Sequence, residues 1–531
     1  MNRSPPCVLH EDEHIVIVAK PAGWNTHAPD DYLGEGIYEW LRDREPRWAE
    51  LANLHRLDKD TSGLLVFAKS ALARRSLARQ FEARAVRKQY RMLTAGVPPG
   101  SRIESRACLA RRGKVYVATA DEGDEAVTAF APTPPPPGFP PQVHAVLAEP
   151  VTGRTHQIRV QSAALGFPVL GDALYGGAPA PRLCLHAERL AFHHPGIDAP
   201  VSFELPADFA ADIGQARRAA LADPAETNTL RLVHGTADGW PGARVDRFDR
   251  WLLHQSAALP GPGDIARLES LAGSGIAGIY HKTLTRNLQR LDAEDASPRL
   301  VSGEPAPARF RVRENGIEFE LSFEEGYSVG IFLDQRDNRR RLLAGHVAAK
   351  FPLPGIAGGT VLNTFAYTCA FSVAAALAGA TVTSLDLSKK YLEWGRRNFT
   401  LNGLDAGGHD FIYGDAFDWL RRLAKKGRRF DIVLLDPPTF SQSKEHGVFR
   451  AESDYGRLVS AALAVLAPGG VLFAASNAAR LEPAGFIDVV REAVHAAGRR
   501  IECQYWAAQP PDFPISRDEP AYLKGLWLRL G

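Results

Sequence analysis

His55-Arg56-Leu57-Asp58-Lys59-Asp60-Thr61-Ser62-Gly63-Leu64-Leu65-Val66-Phe67-Ala68 sets an acid, Asp58, between a basic pair and a small-residue turn. An apolar run follows at once and reads as a buried strand. Neighbouring cations keep a carboxylate ionised, and a turn presents it, so Asp58 is a candidate nucleophile. Read alone, it also fits an aspartate that caps a turn.

The surroundings are basic. From Leu51 to Lys114 there are 15 Lys/Arg against 4 Asp/Glu, which favours a phosphate-facing surface over a merely solvated face. Residues 15–19 read as a strand ended by Lys20-Pro21-Ala22-Gly23, residues 71–84 as a basic helix, and residues 115–119 and 183–187 as further strands. Residues 132–141 are proline-rich and read as a loop or hairpin extension. Short strands and helices without strict alternation give an α+β class for this part. Residues 207–228 are polar and Ala-rich, with a helix over 213–221, and are the best linker. Strands with turn chemistry between them, Asp238-Gly239 and Pro241-Gly242, continue to about Ala308 as a small separate domain. From Val361 the pattern is regular β-α-β: strands at 361–363, 381–386, 410–412 and 431–436, with helices at 371–378, 387–401 and 416–423. That alternation predicts a doubly wound, mostly parallel sheet. The expected domains are 1–208, a linker 209–228, 229–308 and 309–531.

Composition sets the outer limits. A length of 531 residues suits three or four domains. Hydrophobic residues at 45% and charged residues at 23% are ordinary for a globular protein, and a net charge of +2 is too small to argue nucleic-acid binding from the total. Cys7, Cys108, Cys184, Cys369 and Cys503 are scattered, without CxxC spacing, which argues against a disulfide framework or a zinc site. Glu11, Asp12 and Glu13 precede the first short apolar run, unlike a secretory signal or transit peptide, and no apolar run is long enough to span a membrane. The expected location is the cytoplasm, with no membrane partner and no metal.

Further motifs accompany the Asp58 stretch: Lys88-Gln89-Tyr90, Thr152-Gly153-Arg154-Thr155-His156-Gln157-Ile158-Arg159, Gly166-Phe167-Pro168-Val169-Leu170-Gly171-Asp172, and Leu185-His186-Ala187-Glu188-Arg189-Leu190. In this order they resemble the RluA-type pseudouridine synthases over roughly residues 8–205. The resemblance implies an isomerase that needs no cofactor. It gives Asp58 the attack on the nucleotide or the stabilisation of the sugar cation, with base or sugar left open. It pairs Arg159 with Asp58, stacks Tyr90 on the base to help remove the C5 proton, fills the gap of a flipped-out base with Arg56, and walls the pocket with Leu185. His55, His156 and His186 could suggest a metal triad and are taken as structural.

The second half carries Leu232-Val233-His234-Gly235, Pro241-Gly242-Ala243-Arg244-Val245-Asp246, Glu325-Gly326-Tyr327, Phe332-Leu333-Asp334-Gln335-Arg336-Asp337-Asn338-Arg339 and Asp436-Pro437-Pro438-Thr439-Phe440. These resemble the RlmK/RlmI-type ribosomal RNA methyltransferases. The fold implied is a small α/β domain of PUA/EEHEEE type followed by a Rossmann-like doubly wound domain, and the methyl donor implied is S-adenosyl-L-methionine. Asn363-Thr364-Phe365-Ala366-Tyr367-Thr368 fills the first strand-to-helix turn without the usual glycines. Such a turn is tolerable because this cofactor has no pyrophosphate needing close backbone approach. Asn363, Phe365, Tyr367, Asp386, Asp415 and Asp436 are the cofactor-binding candidates, with Asp386 for ribose hydroxyls and Asp415 for the adenine amine. Asp436 is also the catalytic candidate toward the base, and Pro437, Pro438, Phe440 and Arg336 are the substrate-binding candidates. The runs 336–341 and 421–429 are expected to hold phosphates.

Ser441-Gln442-Ser443-Lys444 looks like the RlmK type, which methylates guanine N7. Cytosine C5 methylation needs a cysteine that adds to C6. In the RlmI type it lies on the strand that here reads Leu472-Phe473-Ala474-Ala475-Ser476-Asn477, with no cysteine. The expectation is a bifunctional enzyme that makes pseudouridine in ribosomal or transfer RNA and methylates 23S ribosomal RNA, guanine N7 first. The alternatives are C5 methylation, or one catalytic half and one RNA-gripping half.

Overall fold

The structure, a computed structural model, describes residues 4–531 except 31, 33, 35, 274, 285–296, 326–327, 354 and 444–446. Gly326-Tyr327 and Lys444, read above as parts of motifs, lie outside the described residues.

The apolar run after Asp58 is the strand Ser62–Ala68, buried at every position. Successive side chains of a strand point to opposite faces. Leu65 and Phe67 accordingly join a core with Trp24, Ile37, Leu41 and Trp48. Leu64, Val66 and Ala68 join another core with Ala73, Leu77, Leu190 and Phe192. Both faces are covered, which is why the run is continuously apolar rather than alternating. Each such side chain contributes about 1.5–3 kcal/mol on burial. The strand lies between Ile15–Lys20 and Leu185–His193 in an 11-stranded sheet, which continues through Arg87–Thr94, His144–Pro150, Asp124–Thr133 and Ile103–Arg112 to Val115–Thr119.

A 5-stranded sheet follows, Thr229–His234 to Arg299–Gly303, in chain order. The C-terminal sheet has 7 strands in the order Asp410–Tyr413, Thr381–Asp386, Thr360–Thr364, Phe430–Leu435, Leu466–Ser476, Lys524–Leu530, Ile501–Trp506. Its first five strands are parallel and the last two pairings antiparallel. The helices Ala370–Leu377, Lys389–Leu401 and Ala416–Lys425 alternate with the strands as the sequence pattern predicts.

The segment read as a polar linker is packed. Its helix Ile213–Leu221 is capped by Asp212 and buries Arg217, Arg218 and Leu221. Arg217 donates to Gly23 O at 2.7 Å. Arg218 donates twice to Asp238 at 2.7 Å, and to Arg231 O at 2.8 Å and Asp512 O at 2.9 Å. Its polarity serves ion pairs at a junction of three sheets rather than solvent.

The helix Arg336–Ala344 is a second junction. Trp40 Nε1 donates to Asp337 at 3.2 Å, and Arg340 pairs with Glu45. Nearby, Ala349 N donates to Asp43 at 3.1 Å and Trp506 Nε1 to Tyr32 O at 3.2 Å. For Arg336 and Arg339 this overturns the expectation that the arginines of 336–341 grip phosphates. Arg336 is 5% exposed and held by both oxygens of Asp512 at 2.8 and 2.6 Å. Arg339 is 2% exposed and held by Glu314 at 2.6 and 2.7 Å. Buried and forked onto a carboxylate, neither guanidinium is open to an RNA phosphate.

Candidate active sites

Asp58 sits in a loop fixed from below. Lys20, 1% exposed, donates its ammonium to Pro21 O, Trp24 O and Lys59 O at 3.0, 2.7 and 2.9 Å. Burial pulls Lys20 down to about 7, against the attraction of Asp60 and Asp58. Thr26 Oγ1 donates to Leu57 O and accepts from Leu57 N. Gly63, at φ 123°, lets the chain pass Ala187, where an added Cβ would lie 2.4 Å from a carbonyl oxygen. A side chain there would push the loop off its strand.

Arg159 reaches Asp58 from the helix Gln157–Ala164, with Nη1 to Oδ2 at 3.4 Å. Its stronger partner is Asp172, 1% exposed, which accepts from Nε at 2.7 Å and Nη2 at 2.9 Å. Burial opposes the charge on Arg159, but the bonds to Asp172 outweigh it and hold the guanidinium above its usual range. Asp172 thus aims Arg159. His156 Nε2 lies 3.8 Å from Asp58, and its Nδ1 meets Tyr175 Oη at 2.8 Å. Tyr90, on Arg87–Thr94, is pushed up by burial and by Asp58 and stays a neutral phenol.

Asp58, Tyr90, Arg159, Leu185 and the exposed Arg56 line one cavity of about 670 Å³, with Lys88 and Arg154 at its walls. The sequence candidates of this half therefore converge. His55 and His186 do not enter the chemistry. His55 accepts from Val66 N at 3.1 Å, and His186 bridges Ser62 Oγ and Leu205 O at 2.8 and 2.9 Å. Among the described residues no group of three or more His, Cys, Asp or Glu could hold a metal ion.

In the C-terminal sheet the first turn is conformationally unusual. Phe365, Tyr367 and Cys369 have φ of 57°, 49° and 64°, a left-handed region that favours glycine. The absent glycines are thus replaced by three non-glycine residues in the glycine conformation, held by their surroundings. Tyr367 N donates to Asp386 Oδ2 at 2.8 Å, and Ser388 N to Asp386 Oδ1 at 2.8 Å. Gly395 makes room for the Cys369 thiol, since a Cβ there would lie 2.3 Å from Sγ.

Asp386 ends Thr381–Asp386, and burial raises it above the usual carboxylate range. Each oxygen takes one backbone N–H, so each keeps a lone pair for a hydroxyl. That donor set fits a ribose diol at the carboxyl end of a parallel sheet. Asp415 caps Ala416–Lys425 through Asp418 N at 3.1 Å and stands at the next strand end. Asn363 departs from its expected role. It is 2% exposed and donates to Ser372 Oγ at 2.9 Å, so it braces the turn instead of facing a ligand.

Asp436 follows the central strand Phe430–Leu435. Burial, and then the charge of Asp334, push it up to about 7, against Arg339 and a bond from Gln335 Nε2 at 3.1 Å. Asp334 is itself raised by burial and accepts from Tyr522 Oη at 2.9 Å. Phe440, 46% exposed, stands just beyond the buried Pro437 and the exposed Pro438, with Arg450 over its ring at 5.4 Å. Phe332, 48% exposed, packs at 5.4 Å from Tyr367. Asp334, Gln335 and Tyr522 were not singled out from sequence. The first two lay inside a quoted motif, while Tyr522 carried no local signal. Arg421 and Arg422 both pair with Asp418, and Arg428 with Asp410.

Comparison with known proteins gives two family matches. The family model of S-adenosylmethionine-dependent methyltransferases matches residues 231–529 and that of RNA pseudouridylate synthases residues 14–164. A ribosomal RNA large subunit methyltransferase of Deinococcus radiodurans is 34% identical over 60% of this chain and 78% of its own length. A ribosomal RNA large subunit methyltransferase I of Klebsiella pneumoniae is 32% identical over 60% and 77%. The crystal structure of SMU.776 complexed with SAH aligns at a TM-score of 0.50 and 26% identity, covering 64% of this chain and 87% of that one.

Proposed function

Since this chain belongs to the S-adenosylmethionine-dependent methyltransferase family and carries an RNA pseudouridylate synthase domain ahead of it, we propose that it isomerises uridine at Asp58 and methylates guanine N7 of 23S ribosomal RNA beside Asp436. Joining these two families in one chain makes it a bifunctional RNA-modifying enzyme. The named relatives that act on large-subunit ribosomal RNA supply the choice of RNA.

In the first cavity the N1–C1′ bond breaks, the uracil turns, a C5–C1′ bond forms, the C5 proton leaves and N1 takes up a proton. Asp58 supplies the anion that attacks the nucleotide or faces the sugar cation. Arg159, aimed by Asp172, keeps that anion oriented. Tyr90 is a neutral wall whose hydroxyl can pass a proton on but not hold a charge. Arg56 at the rim takes the place of the flipped base.

At the second site S-adenosyl-L-methionine supplies an electrophilic methyl group when bound. Asp386 would hold its ribose, Asp415 its adenine amine, and Phe365 and Tyr367 would line it. Methylation at N7 removes no proton and leaves the base cationic. A carboxyl poised at about 7 ionises readily beside a developing cation, and this property of Asp436 carries the choice of a ring nitrogen. Phe440 offers its exposed ring for stacking. C5 methylation is disfavoured because Cys369 is sealed at 0% exposure and burial pushes its thiol up to about 12. Cys503 sits on the edge strand Ile501–Trp506, away from the Asp436 loop.

The test is mass mapping of nucleosides in RNA treated with wild type, Asp58→Ala and Asp436→Ala. Asp58→Ala should abolish pseudouridine alone, and Asp436→Ala should abolish 7-methylguanosine alone. Pseudouridine formed by Asp58→Ala, or 5-methylcytidine in place of 7-methylguanosine, would refute the corresponding half.

A further inference from the structure

Between the two halves runs a groove of about 720 Å³. One wall is drawn from Ala28, Tyr32, Gly34, Glu39, Trp40 and Arg44. The other is formed by Arg336–Ala344, Pro483–Ala496, Ile501–Trp506 and the chain that follows.

Most of its carboxylates are engaged locally. Asp43 takes Arg42 and Ala349 N, Asp337 takes Trp40 and Arg336, and Glu39 takes His27 and Ala28 N. Of its arginines, Arg42 is held by Asp43, and Arg341 by Val347 O, Asn338 and Tyr505, but Arg44, Arg340 and Arg491 are less satisfied. Arg44 lies over the Trp40 ring at 4.7 Å, and its Nε is buried with no hydrogen-bond partner among the described residues. Arg340 reaches Glu45 through a terminal nitrogen, yet its Nε is also buried and without a partner. Arg491 donates to the neutral Gln504 at 3.0 Å. Burial pulls Arg44 down to about 10, and burial followed by the charge of Arg44 pulls Arg340 down as well. Buried guanidinium donors that repel one another are stabilised by an anion between them.

The same walls carry Tyr32, Trp40, Tyr505 and Trp506. Arginine donors interleaved with aromatic rings are the chemistry that binds single-stranded nucleic acid, with phosphates on the cations and bases on the rings.

The position of the groove links the two crevices. His27 lines the Asp58 cavity and the next residue, Ala28, lines the groove. Glu39 fastens both, accepting from His27 Nδ1 and Ala28 N at 2.9 Å. On the far side, Ile501–Trp506 runs in the same direction as Leu466–Ser476 and Phe430–Leu435, because two antiparallel pairings separate it from them. Trp506 therefore lies at the same end of the sheet as Asp436.

We propose that this groove binds a single-stranded segment of the RNA whose nucleotide occupies the Asp58 cavity, with phosphates at Arg44, Arg340 and Arg491 and bases against Tyr505 and Trp506. This rests on the reading of the first cavity as a pseudouridine site.

The experiment uses the full chain and a fluorescein-labelled single-stranded RNA of about 16 nucleotides containing one uridine, followed by anisotropy over a range of potassium chloride concentrations. Arg44→Gln/Arg491→Gln should weaken binding about tenfold and flatten the slope of log Kd against log salt by about 1.4, at about 0.7 per lost phosphate contact. Arg491→Glu alone serves if the double variant misfolds, because Arg491 is exposed. Unchanged S-adenosylmethionine binding by calorimetry certifies the C-terminal half, and an unchanged thermal melt certifies the half that carries Arg44. Affinity and slope within about twofold of wild type would overturn the proposal, as would a duplex that competes as well as the single strand. Wild type that binds RNA with the expected slope but forms no pseudouridine would instead overturn the reading of Asp58.

Discussion

Asp436→Asn should abolish methyl transfer and yet stabilise the protein at alkaline pH. Burial and the nearby Asp334 raise Asp436 from 3.8 to about 7. Between those values the native chain holds a proton that the unfolded chain has released. Stability therefore falls as pH rises through that window, and the loss is complete above about 7. At about 1.4 kcal/mol per tenfold, the raised carboxyl costs the fold about 4 kcal/mol at pH ~8.5, where it must ionise, and about 2 kcal/mol at pH ~5.5, where it must take up a proton. An asparagine never ionises, still accepts from Gln335, and brings an amide donor to pair at a cost of about 2 kcal/mol. The net expectation is about +2 kcal/mol at the higher pH and about zero at the lower. At about 2–4 °C per kcal/mol, the variant should melt about 5 °C above wild type at pH ~8.5 and level with it at pH ~5.5. Differential scanning calorimetry at both values measures this. An equal Tm change at both, or a lower Tm for the variant at alkaline pH, would show that Asp436 carries no such ionisation burden.

Three further outcomes follow from the contacts described. Gly395→Ala puts a Cβ 2.3 Å from Cys369 Sγ. It should destabilise the C-terminal half by about 1–3 kcal/mol in urea unfolding, and adding Cys369→Gly should restore most of that. Arg336→Ala leaves Asp512 buried without its partner and should lower stability by about 3–5 kcal/mol, so the first loss seen is folded protein by thermal melt, not RNA affinity. Asp172→Asn should lower pseudouridine kcat about a hundredfold, about 2.7 kcal/mol, with methyl transfer by the other half retained in the same preparation.

What could be read from sequence divides along the reach of the interactions. The strand after Asp58 and the central parallel strand Phe430–Leu435 are buried along most of their length, so each carries a compact apolar run visible in a short window. The Asp58 loop was legible because its acid, turn and strand are consecutive. Asp172 was quoted within a motif but given no role, because nothing in a 13-residue spacing reveals that its two oxygens grip Arg159. Arg336 and Arg339 do not form the phosphate grip that the arginine run at 336–341 suggests, since a dense run of cations reads as surface. The acid that buries Arg336 is 176 residues away, beyond any local pattern. The turn at Phe365, Tyr367 and Cys369 was seen to lack glycine, but its left-handed backbone was not foreseen, because L residues with side chains rarely adopt it.

The helix Ile213–Leu221, bonded to Gly23 on one side and to Asp238 and Asp512 on the other, has a mechanical consequence. Bonded at both ends, it sets a gauge between the two candidate sites. An RNA can be serviced at both in one visit only if its two target nucleotides are displayed at that gauge. Any other transcript must let go and dock afresh.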